Sequence, residues 1–106
     1  MYNPAHPGEI LKELIIEPLE LSILDVAEHL NINSVLLRHI LDAQTAITPE
    51  IAIRLELAFN KPTAIHWLKL QNAYDLWKIR DNKVELNVKP FLYDEKNTLD
   101  NRQPSV

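Results

Sequence analysis

The chain has 106 residues, 46% of them hydrophobic, with a formal net charge of −4, one glycine and no cysteine. That length fits one domain with a small core. The lack of cysteine excludes disulfides and thiolate zinc sites and fits a reducing compartment, while the single glycine excludes the phosphate-cradling loops of Walker and Rossmann type. The acidic balance argues against a strongly basic nucleic-acid binder. No apolar run approaches the roughly 18 residues a membrane span needs, and Met1-Tyr2-Asn3-Pro4 lacks the basic start of a secretion signal, so a cytoplasmic protein without a membrane partner is expected.

His6-Pro7-Gly8-Glu9 reads as a helix start. Pro7 sits in the first turn, where its missing N–H is harmless, and Glu9 suits the positive end of the helix dipole. Ile10, Leu11, Leu14 and Ile15 form one apolar face, Pro18 ends the helix, and Leu19 and Leu21 are expected to pack under the connection. Ser22 then caps a second helix, with Asp25 three residues on, and Ile23, Val26, Ala27 and Leu30 fall at helical spacing. Asn31 tolerates the left-handed conformation of a sharp exit. Asn33 or Ser34 caps a third helix whose Leu37, Ile40 and Leu41 point inward. Helix, tight turn, helix is the pattern of a helix-turn-helix unit.

A polar linker, Asp42 to Ala46, closes on Ile47 as an apolar anchor. Thr48-Pro49-Glu50 opens a fourth helix with cap, N1 proline and first-turn acid, carrying Ile51, Ala52, Leu55, Ala58 and Phe59 inward until Asn60-Lys61-Pro62 stops it. Thr63 caps a longer fifth helix on which Trp67, Leu70, Tyr74 and Trp77 make an aromatic stripe. That stripe serves either as core or as the meeting place of two subunits. Lys78 and Arg80 favour its C-terminal end. Beyond Asp81 the texture changes: Val84, Leu86 and Val88 alternate with polar residues, which suggests one short strand at 83–89, ordered only against another surface. A polar tail follows. The expected architecture is all-α, a five-helix domain over 1–81 with an extension over 82–106.

HPGEIL at the start, Leu21-Ser22, Val26-Ala27, AITPEIAIRLELAF and WLKLQNAYDLWKIR together resemble HigA-type antitoxins, the VapI-like branch of the lambda-repressor-like helix-turn-helix family. The resemblance covers about His6 to Arg80. It implies a homodimer on a palindromic double-stranded operator, and a small RelE-like ribonuclease toxin as a second partner. It also brings out two departures. Ile23 stands where members carry Gln after the capping Ser, and Asp42-Ala43-Gln44-Thr45 replaces a basic, glycine-containing run. From Ser22 to Thr45, one cation (Arg38) faces three carboxylates (Asp25, Glu28, Asp42), a formal charge of −2.

Asn33, Ser34, Val35, Leu36, Arg38 and His39 occupy the outward positions of the third helix, with Gln44 and Thr45 beyond it. They are the expected DNA-binding set. Asn33 can cap the helix and donate to a phosphate, Arg38 can bond guanine N7 and O6, and Leu36 can meet a thymine methyl. With so few cations, contact leans on dimer avidity, helix N-termini and the hydroxyls of Ser34, Thr45 and Thr48. The competing reading is a protein-binding module that keeps the fold as scaffold and only neutralises a partner; outward Leu24 and Leu36 would then be partner surface. Trp67, Tyr74 and Trp77 are the expected dimer interface. His6, His29, His39 and His66 are scattered and none pairs with an acid at metal-ligand spacing. Neither a nucleophile context nor a metal cluster points to catalysis, and no cofactor is implied.

Overall fold

The computed structural model describes residues 3–83 and 85–91. Helix α1 (Pro7–Leu11) runs straight into a π turn (Lys12–Ile16); α2 (Ile23–Leu30), α3 (Ser34–Leu41), α4 (Pro49–Phe59) and α5 (Ala64–Asp81) follow. α1 packs against α3 and α5, α2 against α3 and α4, and α4 against α5. Leu11, Leu37, Ile40, Ile47, Leu55 and Trp67 are among the fully buried side chains at the centre.

Local chemistry sets the helix starts. The Ser22 hydroxyl accepts from the Asp25 N–H at 3.0 Å, the Asn33 side-chain carbonyl from Val35 N–H at 2.6 Å, and Thr48 and Thr63 from Ile51 and His66, each at 3.3 Å. Each bond satisfies one of the orphan N–H groups that a helix N-terminus leaves. α1 is capped by a buried imidazole: His6 Nδ1 accepts from Gly8 N–H at 2.8 Å. Gly8 is needed for close approach, since a Cβ there would run into the carbonyl oxygen of Ile40 on α3.

The π turn changes the register of the first helix. Its i→i+5 bonding, closed by Glu17 N–H to Lys12 C=O at 2.9 Å, takes up an extra residue. Ile16 is therefore buried, whereas Leu14, expected inside, is 69% exposed. Leu19 and Ala58 are also exposed rather than packed. The aromatic stripe divides: Trp67 is wholly buried, Leu70, Tyr74 and Trp77 are half-buried, and among the described residues of α5 only Trp67 and Gln71 are buried, with Ala64, Leu68 and Leu70 packed against the core from its edge. Among the described residues there is no strand. Residues 85–91 are irregular and exposed, with Asn87 at φ 55°, because a lone period-two segment has no second strand among the described residues to pair with. Val84 of the expected strand, and the tail from residue 92, lie outside the described residues.

Candidate nucleic-acid interface

α2 and α3 are joined by Asn31-Ile32-Asn33. Asn31 adopts φ 57°, ψ 47°, and Ile32 N–H returns to the Ala27 carbonyl at 3.0 Å, a Schellman exit that reverses the chain within one turn. A side chain from α4 secures this corner. The Arg54 guanidinium donates to the Leu30 carbonyl at 2.9 Å and the Asn31 carbonyl at 3.3 Å, and is itself gripped by Glu50 at 2.7 Å. Arg54 thus satisfies carbonyls that the end of α2 leaves open. Nothing local in the sequence announces this role, because its partners lie 23 and 24 residues away.

With that corner fixed, α3 buries Leu37, Ile40 and Leu41 and turns the opposite side to solvent. Asn33, Val35, Leu36, Arg38 and His39 are exposed and Ser34 is half-buried; beyond the helix, Gln44 is exposed and Thr45 half-buried. The expected DNA-binding residues of α3 and of the loop after it are therefore all at least partly open to solvent. Since the Asn33 carbonyl oxygen is taken by the cap, its amide N–H groups remain to donate. Arg38 makes no ion pair among the described residues, where the Arg54–Glu50 bridge is the one present.

The structure adds one cation. Lys12, in the π turn, lines the same cleft as Arg38, together with Glu17 and Asp42. Two cations and two carboxylates line that cleft, so it is close to neutral and adds no positive charge to the face. His29 and His66 lie elsewhere, both exposed, and no group of three His, Cys, Asp or Glu side chains converges among the described residues. No described helix is long and apolar enough to cross a membrane.

A capped helix pair with a buried inner face and an outward polar second helix defines a helix-turn-helix protein of the DNA-binding class. No family model matches the chain, but individual proteins do. It is 42% identical to virulence-associated protein A of Dichelobacter nodosus over 91 residues, 86% of this chain and 88% of that one. It is 36% identical to a solved addiction module antidote protein of the HigA family from Coxiella burnetii, at TM-score 0.69, over 85% of this chain and 100% of that one. It also matches the Pseudomonas aeruginosa antitoxin HigA, solved with the higBA promoter, at 29% identity and TM-score 0.72, again over 85% and 100%. The chain belongs to the HigA-type helix-turn-helix antitoxin family.

Proposed function

We propose that this chain is an antitoxin that also represses transcription, a cytoplasmic homodimer that lays two copies of α3 in successive major grooves of an operator. The observation that carries this reading is the outward surface of α3, centred on Arg38, which makes no ion pair among the described residues, and backed by Leu37, Ile40 and Leu41. Its likeness to an antitoxin solved with promoter DNA supports it. Asn33, Ser34, Gln44 and Thr45 contact phosphates; Val35, Leu36, Arg38 and His39 face base edges. The two helices lie about 34 Å apart, one turn of duplex. Tyr74 and Trp77 are the residues of the aromatic stripe with surface left for a second copy; Trp67 has none. The second partner is a small basic RelE-like ribonuclease, and the chain itself has no catalytic role.

The near-neutral face sets the test. Phosphate neutralisation by few cations gives a shallow dependence of affinity on salt, so discrimination rests on base contacts. Arg38→Ala is expected to weaken binding to the chain's own upstream region by about 1–3 kcal/mol and to relax specificity at one base position. Gel shifts across a salt series measure both. No specific complex at any ionic strength would favour the scaffold reading instead, in which the fold serves only to hold the toxin.

A further inference from the structure

Among the described residues only two polar side chains are buried, His6 and Gln71, at 2% and 4% exposure. Both reach the loop between α3 and α4. The His6 ring lies close enough to the Thr45 backbone for that backbone to favour its charged form. From the middle of α5, Gln71 Oε1 accepts from Ile47 N–H at 2.8 Å, while its Nε2 donates to Asp75 Oδ1 at 2.9 Å. Because a carboxylate only accepts, Asp75 decides which end of the amide faces Ile47. Closer to α3, Gln44 N–H returns to the His39 carbonyl at 2.8 Å. The segment directly after the outward helix is therefore tied at Gln44 and at Ile47, with the His6 ring close to Thr45 between them.

Resting on the operator-binding reading above, we propose that Gln71 is a positioning residue for DNA binding: through Ile47 it sets the pose of Gln44 and Thr45 against the phosphate backbone without touching DNA. A face with few cations has little long-range attraction to work with. Its polar contacts act only within about 3.2 Å and in a narrow angular range, so a loop that had to be ordered on binding would lose affinity to that ordering. Holding Ile47 in the core from α5 removes the cost in advance. An apolar residue at position 71 leaves the buried Ile47 N–H unpaired, and the loop then shifts to find water.

The test is a three-protein comparison on the full chain. Gln71→Leu is expected to weaken operator binding about tenfold or more, the scale of one lost buried hydrogen bond, at a temperature where circular dichroism shows it folded. The double variant Gln71→Glu with Asp75→Asn rebuilds both bonds with donor and acceptor exchanged: the new carboxylate at position 71 accepts from Ile47 N–H and from the new amide at position 75. It leaves the net charge unchanged, so it should bring affinity back to within about twofold of the unaltered protein. Hydrogen exchange at the Ile47 amide, read without DNA, should be slow in the unaltered and double-variant proteins and fast in Gln71→Leu. Unchanged operator affinity in folded Gln71→Leu would overturn the proposal, as would a double variant that regains Ile47 protection but not affinity. Failure of the unaltered protein to bind its upstream region is a different result: it removes the operator reading, and Gln71 with it as a DNA-positioning residue, while the exchange data still report whether Gln71 holds the loop.

Discussion

His6 joins three parts of the molecule at once. Its Nδ1 caps α1 by accepting from Gly8 N–H, its ring meets the Tyr74 ring of α5 edge-on with centroids 4.9 Å apart, and the ring lies close to the Thr45 backbone. Burial pushes the imidazole below the ordinary histidine value of 6.5; the Thr45 backbone, Glu9 and Asp75 oppose that shift and Lys78 adds to it. The neutral ring is the form that can accept from Gly8, since protonation puts an N–H at both nitrogens. The sign for stability follows. A histidine whose folded value is lowered takes up its proton more readily in the unfolded chain, so stability contributed by the neutral ring is complete above pH 6.5 and is lost as pH falls through the lower folded value. Urea midpoints should therefore decline from pH 6.5 downward and decline less in His6→Asn, which keeps a capping oxygen and does not titrate. Parallel declines in the two proteins would show that His6 does not carry the effect.

The helices show which parts of the fold are legible in a sequence. Starts at Ser22, Asn33, Thr48-Pro49 and Thr63 depend on bonds spanning two or three residues, so residue type and spacing reveal them, as they do the inner faces of α2 and α3. The outward surface of α3 is legible for the same reason. The exposure of Leu14 is not, because a π turn breaks the periodicity on which the inference rests. Arg54 and Gln71, which hold the turn and the loop of the site, act across 23 or 24 residues and leave no local pattern. Helix exits show the pressure of having one glycine. Glu20, Asn31 and Ala43 all take positive φ, each followed by an N–H that reaches back five residues, to Ile16, Ala27 and His39. Asn31 is suited to that conformation; Ala43, at φ 62°, carries the left-handed penalty of about 1–2 kcal/mol. Set against the extra freedom of glycine when unfolded, Ala43→Gly should stabilise the protein by about 0.5–1 kcal/mol. A higher urea midpoint at constant m-value is the expected result; a lower one would mean that the Ala43 methyl packs better than its half-exposed position suggests.

At the scale of the whole molecule, the apolar core is confined to residues between Leu11 and Trp67, yet apolar surface continues well past it. Leu76 and Ile79 on the last turns of α5, then Leu86, Val88 and Phe91, stay exposed at between 46% and 82%. Tyr74 and Trp77 lie beside them in tilted contact, ring centroids 5.9 Å apart. Apolar side chains exposed one after another among the described residues are what the proposed dimer surface would use. In the homodimer proposed above, a twofold interface puts the same patch on both copies, so a second α5 with its following segment is the proposed occupant, giving the period-two residues a strand partner not found among the described residues of one chain. The operator reading needs this contact. Each half-site engages a near-neutral face, and linking two such faces raises overall affinity about 10²–10⁴-fold over one. A chain ending at Asp81 is therefore expected to run as a monomer in sedimentation velocity at concentrations where the full chain is dimeric. It should lose about a hundredfold in affinity for a two-half-site operator while binding an isolated half-site as the full chain does. If the shortened chain remains a dimer, the segment after Asp81 is not needed for pairing, and Tyr74, Leu76, Trp77 and Ile79, which that chain keeps, are the residues to alter next.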